Sequence, residues 1–253
     1  LVKHTDRPLQ IFILSMDMHE ANPAFLPFSQ AQLDVLEHVV QKKNAASRVI
    51  YIDLSDQYRA TLARGKNTAN FYTPYAQLRT FLGEIENLPD KLIYLDIDTM
   101  CLSDIGQLYD IDIEDYEYAA VRDHMGKFWV SPTYCNSGVL LLNLPRLRET
   151  KLLQRCHDYI ATRRLVMPDQ TALHRLHRAR LILPRRFNEQ RAPRKDTVIK
   201  HFCRGIRWFP FFYIYNYKQW ERDNVHKKLK LFCFDDLYEE YDRLMAQYPE
   251  ANT

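Results

Sequence analysis

Short apolar runs and amphipathic stretches alternate along most of the chain. Leu9–Ser15 (LQIFILS), Arg48–Leu54 (RVIYIDL) and Lys91–Leu95 (KLIYL) have the length and composition of strands. Tyr118–Val121 and Val139–Leu142 predict two further buried strands. Ser29 stands as an N-cap before a helix whose apolar face would carry Leu33, Leu36, Val39 and Val40. Thr73–Glu84, Leu147–Arg163 and Asp169–Arg178 also follow the helical period, and Phe234–Tyr248 predicts a terminal amphipathic helix. Strands alternating with helices predict an α/β fold with a mainly parallel sheet and helices on both faces. Ligands in such folds gather beyond the carboxyl ends of the strands, so residues just after a strand carry the most weight.

Composition narrows the class without choosing a function. The 253 residues suffice for one large core, and the predicted division is a catalytic unit at 1–205 and an aromatic, basic segment with the terminal helix at 206–253. An apolar fraction of 46% and a charged fraction of 26% are ordinary for a folded protein. Only 6 glycines are present, with no GxGxxG or GxxxxGK[ST], which argues against a glycine-rich phosphate cradle. Cys101, Cys135, Cys156, Cys203 and Cys233 are an odd set without CxxC spacing, which fits a reducing cytoplasm better than a disulfide framework. No apolar run approaches the roughly 18 residues of a membrane-spanning helix.

Charge is unevenly spread. Glu84–Asp123 holds 12 acidic residues against 2 basic ones, and Arg175–Arg207 holds 11 basic against 2 acidic. Nucleic acid, a diphosphate donor, an anionic acceptor and a lipid surface would each suit the second cluster, as would plain solvation. Trp208–Trp220 (WFPFFYIYNYKQW) then holds eight aromatic residues flanked by basic ones. A plug packed on the domain and a segment lying at a membrane interface both fit that pattern.

The sharpest chemical signal is Asp96-Ile97-Asp98, placed directly after the predicted strand KLIYL. Two carboxylates one residue apart at a strand end can face one hard cation, and oxygen ligands favour Mg²⁺ or Mn²⁺. A DxD in isolation more often marks a solvated loop or a cap. A buried strand that delivers two acids to one edge, however, is costly without a ligand.

Four segments in order give this signal a context: DKLIYLDIDTM (Asp90–Met100), YCNSGVLLLNL (Tyr134–Leu144), PDQTALH (Pro168–His174) and VIKHFC (Val198–Cys203). Together they resemble the family 8 retaining glycosyltransferases, over roughly Thr73–Trp220. The resemblance implies a GT-A fold, a UDP-sugar donor (UDP-glucose or UDP-galactose) and Mn²⁺ or Mg²⁺. It implies Asp96, Asp98 and His201 as metal ligands. Arg79 (YAQLR), Asp123, Asn136 and Gly138 (CNSG) match the family's donor-binding positions. Asp169 and Gln170 match its DQD segment, with the glutamine facing the anomeric carbon. Lys218, in a displaced KPW-like Lys218-Gln219-Trp220, is the first choice for a contact to the donor phosphates, and Arg207 the second. The implied acceptor is a cell-surface glycan such as lipopolysaccharide. The implied place is the cytoplasm with peripheral attachment at the inner membrane face, and no nucleic-acid partner is implied.

Three departures bear on these expectations. Thr171 stands where the family usually has a second aspartate, which favours front-face substitution over a covalent glycosyl-enzyme. The histidine segment lacks the family's HxxGxxKPW continuation. The uridine-binding ADDNY-like opening has no counterpart before Leu9, so either some thirty residues precede this sequence or the homologue is shortened. A catalytically degenerate homologue serving as a sugar- or protein-binding module is the alternative. A phosphatase of the haloacid dehalogenase type fits less well, because its DxDGT places Thr two residues beyond the second Asp, whereas Thr99 follows Asp98 directly.

Overall fold

The computed structural model describes residues 1–67, 73–207 and 211–252. In chain order the strands are β1 Gln10–Ser15, β2 Arg48–Asp53, β3 Lys91–Leu95, β4 Thr99–Cys101, β5 Tyr118–Arg122, β6 Cys135–Asn143, β7 Arg180–Leu183, β8 Ile199–His201, β9 Gly205–Arg207 and β10 Tyr213–Tyr215. The helices are α1 Gln30–Lys43, α2 Ser55–Thr61, α3 Gly106–Tyr109, α4 Gly126–Trp129, α5 Leu144–Thr150, α6 Leu152–Thr162, α7 Pro168–Leu176, α8 Arg222–Asn224 and α9 Asp235–Gln247.

The central sheet has the order β3-β6-β5-β7. Strand β6 runs antiparallel to both β3 and β5, while β5 and β7 are parallel. Three of the four strands therefore share one direction, and β6 is the reversed one. Strands β1 and β2 form a separate parallel pair, in register from Gln10↔Arg48 to Ser15↔Asp53. A cleft of about 1950 Å³ lies between them and the central sheet, lined by every residue of β1 and of β3.

Alternation along the strands sorts two cores. On one face, Tyr118, Ala120, Leu140 and Leu142 pack with Leu78 and Phe81 and with Leu152, Cys156, Ala172 and Leu173 from α6 and α7. On the other, Ala119, Val121, Val139 and Leu141 pack with Leu108, Leu183, Phe187, Val198 and Ile199. Successive strand side chains point to opposite faces, so a strand buried on both reads as an unbroken apolar run. That is why GVLLL in β6 has no polar interruption.

Local departures from expectation have local causes. Ser29 does cap α1, in a reciprocal capping box with Gln32, but the buried face carries Val35 and Val40 while Leu36 is exposed. The expected helix at Thr73–Glu84 is a 3-10 helix over Pro74–Phe81. There Arg79 Nε and Thr80 Oγ1 bond carbonyls three residues back, at Ala76 and Gln77, the spacing that suits the tighter winding. The single helix expected at Leu147–Arg163 is two, α5 and α6, split at Lys151 with φ 53° in the left-handed region. The break lets Leu144 and Leu147 of one piece and Leu152 and Leu153 of the other all reach the core.

Strands β4, β7, β9 and β10 escape the sequence pattern. Apart from the four-residue β7, each is only three residues long, too short to show a period. A small third core of Phe202, Val225, Phe234 and Tyr238 ties the C-terminal helix to the end of β8. All five cysteines are free. Among the described residues no helix is long and apolar enough to cross a membrane.

Candidate active site

The end of β3 is pinned on both sides. Asp96 N–H donates to the Gly138 carbonyl (2.8 Å), which carries the pairing with β6 one residue past Leu95. Thr99 Oγ1 donates to the Asp96 carbonyl, closing the turn, and the chain enters β4. Strand β4 pairs antiparallel with β8, so Thr99 faces His201, and Phe202 N–H bonds the Asp98 carbonyl. A strand, a tight turn and a short return strand thus deliver two carboxylates and one imidazole to the same point. One ligand atom from each of Asp96, Asp98 and His201 lies within 4.8 Å of the others. His201 Nε2 is 3.1 Å from Asp98 Oδ1 and 3.9 Å from Asp96 Oδ2. Two carboxylate oxygens and an imidazole nitrogen at that spacing suit one hard or borderline divalent cation.

Positive groups already surround these acids. Lys218 Nζ bonds Asp98 Oδ2 and the Phe202 carbonyl. Burial raises the Asp98 pKa, but His201 and Lys218 outweigh it and hold the carboxyl well below the ordinary range. Arg79, 2% exposed, pairs with Asp96 (2.7 Å) and with Asp169 (3.2 Å), and also donates to the Ser137 carbonyl. Its guanidinium lies over the Tyr94 ring at 4.5 Å. Burial alone would lower the Arg79 pKa, yet the two aspartates drive it further up, so the charge is permanent. Arg207, by contrast, sits on the β9 strand and donates to the Lys228 carbonyl, away from these acids.

A second group of side chains lies on the far side of Arg79. Asn136 Nδ2 donates to Asp123 Oδ2 (3.1 Å) and to Gln170 Oε1 (3.3 Å). Gln170 Nε2 donates to the same Asp123 oxygen (3.3 Å). The other Asp123 oxygen accepts from the Met125 and Gly126 amides and so starts α4. Asp123, Asn136, Asp169 and Gln170 are all buried, and all line the cleft. Gly138 is needed for close approach. A Cβ there would stand 2.2 Å from His201 Cε1 and 2.7 Å from Asp96 Oδ2, so any side chain would push the two groups apart.

Of the eleven residues singled out from the sequence, ten line one cleft, with Arg79 between the two groups, and Arg207 does not. Three further participants were not singled out. Ser137 Oγ donates to Asp169 Oδ2 (2.7 Å), and Tyr94 OH donates to Asp96 Oδ1 (2.9 Å). Both stand inside segments that drew attention for other residues. Asn188 touches His201 Nδ1 and Asn136 Oδ1, and no pattern around it in the sequence marks it.

Comparison with known proteins follows the same line. The model described as Glycosyl transferase family 8 matches residues 1–204. A Haemophilus influenzae protein is 26% identical over 237 residues, covering 80% of this chain and 64% of that protein. A lipopolysaccharide 1,2-glucosyltransferase of Escherichia coli is 30% identical over 116 residues, covering 39% of this chain and 34% of that enzyme. The crystal structure of the glycosyltransferase GlyE of Streptococcus pneumoniae superposes with a TM-score of 0.62 at 17% identity, covering 95% of this chain and 59% of that one. The likeness is one of fold, the GT-A arrangement. The chain spans less than two thirds of the Haemophilus, Escherichia and GlyE chains. With residues 1–204 matched continuously, this chain belongs to glycosyl transferase family 8.

Proposed function

We propose that the chain is a metal-dependent retaining glycosyltransferase that moves a hexose from UDP-glucose or UDP-galactose to a glycan acceptor. The observation that carries this reading is the pairing of two groups across Arg79. One is the Asp96–Asp98–His201 set and the other is the carboxylate–amide set of Asp123, Asn136, Asp169 and Gln170. A bound Mn²⁺ or Mg²⁺ would neutralise the charge that develops on a departing diphosphate. Lys218, beside Asp98, offers the donor phosphates a second positive charge. Asp123 and Asn136 present a carboxylate oxygen and an amide to sugar hydroxyls. Gly138, without a side chain, lets His201 and Asp96 close together against the backbone.

Gln170 is a neutral amide and a poor nucleophile, so its task is to stabilise positive charge at the anomeric carbon. Asp169 is bound to Arg79 and Ser137 and is therefore an orienting group. The reaction follows from these roles. The acceptor hydroxyl approaches the face the diphosphate leaves, the C1–O bond to UDP breaks with its electron pair going to UDP, the acceptor oxygen bonds C1 on that same face, and its proton passes to the departing phosphate oxygen. Configuration is retained without an enzyme-bound sugar.

Residues 1–205 are read as the catalytic unit and 206–253 as a segment that lends Lys218 to it. The same segment serves an anionic acceptor, a lipopolysaccharide-like glycan, at the cytoplasmic face of a membrane. Trp208 and Phe209, two aromatics of that reading, lie outside the described residues. Of the rest, Phe211 is 80% exposed and Trp220 60%.

UDP release from the two donors tests the assignment. In the absence of acceptor the protein with Mn²⁺ should release UDP slowly, and Asp98→Ala should abolish the release. Binding of UDP-sugar without any UDP release would establish the alternative, a sugar-binding homologue without activity. Cleavage of simple phosphate monoesters in its place would point to a phosphatase.

A further inference from the structure

Asn188 follows a short 3-10 turn at Arg185–Phe187 and is 0% exposed. Backbone bonds fix its place. Asn188 N–H donates to the Arg185 carbonyl, Glu189 N–H to that of Ile199, and His201 N–H to that of Glu189. These lash the segment alongside β8, the strand that carries His201.

One backbone donor then orients every amide in the chain of contacts. Gly138 N–H donates to an Asn136 side-chain atom at 2.9 Å. A backbone N–H can only donate, so that atom is the oxygen, Oδ1. Asn188 places a terminal atom 2.9 Å from the same oxygen, and it must be the nitrogen, Nδ2. Its remaining atom, Oδ1, lies 3.2 Å from His201 Nδ1, and that ring nitrogen must carry a hydrogen. Nε2 is then the ring nitrogen left to face Asp98 and Asp96, and a divalent cation bound between them would take its lone pair while Nδ1 keeps its hydrogen on the Asn188 oxygen.

We propose that Asn188 is a positioning residue with two tasks performed by one amide. Its oxygen selects the tautomer of His201 that presents Nε2 to a divalent cation. Its nitrogen locks Asn136, which in turn holds Asp123 and Gln170. The metal pocket and the sugar-binding group are thereby joined through three buried side chains, His201, Asn188 and Asn136. The proposal rests on the metal-dependent reading above. It adds a residue that none of the four sequence segments contains.

Two substitutions separate the tasks. Asn188→Ala removes both. Asn188→Asp keeps an oxygen for His201 but sets a second oxygen against Asn136 Oδ1, which Gly138 prevents from rotating. Mn²⁺ affinity, measured by electron paramagnetic resonance of the free ion, and the rate of UDP release are read on each, with circular dichroism to verify folding. Loss of the group that orients a ligating histidine typically weakens metal binding about 10- to 100-fold, and Asn188→Ala should do so. Asn188→Asp should bind Mn²⁺ at least as tightly as roughly a third of the unsubstituted affinity, yet release UDP about tenfold more slowly. A folded Asn188→Ala with unchanged Mn²⁺ affinity overturns the proposal. If that variant does not fold, an Asn188→Asp protein with Mn²⁺ affinity lowered more than about tenfold overturns it instead. If the unsubstituted protein binds no Mn²⁺, the metal-dependent reading falls and takes the proposal with it. Binding that responds as expected in a protein that releases no UDP leaves Asn188 in its role and overturns only the transferase activity.

Discussion

Gln170 meets its neighbours at both ends of its amide. Oε1 accepts from Ser137 N–H (3.2 Å) and Asn136 Nδ2 (3.3 Å), and Nε2 donates to Asp123 Oδ2 (3.3 Å). The backbone donor again fixes which end is oxygen, so the carbonyl dipole is set before any substrate arrives. A dipole held in place in this way acts most strongly where positive charge develops, which is in the transition state. Gln170→Ala should therefore lower kcat by about tenfold while donor KM changes less than about twofold. Steady-state kinetics on UDP-glucose and UDP-galactose measure both. A variant that keeps kcat and loses donor affinity would make Gln170 a binding residue. Arg79 illustrates a different constraint at this scale. Its buried guanidinium is matched by two carboxylates, so removing either acid leaves a strong charge without its partner.

Among the elements, the β9–β10 hairpin stands apart from the sheet. Among the described residues its strands pair with each other alone, from Gly205↔Tyr215 to Arg207↔Tyr213. Ile214 projects outward with Phe211 nearby in sequence, and Trp220 follows, all exposed. Exposed rings beside lysine and arginine combine insertion into a headgroup layer with attraction to anionic lipid. The protein should co-sediment with vesicles containing anionic lipid and should be released as salt rises, because screening acts over about 8–10 Å. Replacing Phe211 and Ile214 by Ser should reduce the bound fraction without altering UDP release. Equal binding to neutral and anionic vesicles, or to neither, removes the membrane role and leaves the transferase assignment standing.

The whole molecule gathers acids at one place. Asp96, Asp98, Asp123 and Asp169 all line a single cleft, against the fixed charges of Arg79 and Lys218. A cation that binds the folded chain and not the unfolded one must stabilise it, by about 2.7 kcal/mol at a hundredfold excess over Kd. For a chain of this length that corresponds to a rise in Tm of roughly 5–10 °C. Calorimetry with Mn²⁺ against EDTA should show the rise, and Asp98→Ala should lack it. An equal rise in the variant would locate the ion elsewhere.

Much of the local structure was written in adjacent residues. Strand runs such as KLIYL and GVLLL, the Ser29 cap with Gln32 and the carboxylates one and three residues past β3 depend on neighbours within a few positions, so pattern alone finds them. The grouping of Asp96, Asp98 and His201 was legible only because four ordered segments together resembled a known family. Neither spacing nor composition brings position 201 to position 98. The tertiary structure decided that, through the three-residue pairing of β4 with β8. It also decided the break at Lys151, where core packing outweighs a continuous helical pattern. Asn188 is the clearest case of a residue that only the folded chain identifies. It lies 52 positions from Asn136 and 13 from His201, and its function is a pair of hydrogen bonds that exist only once the sheet has closed around it. A buried amide is defined by its partners, and these partners come from distant parts of the chain.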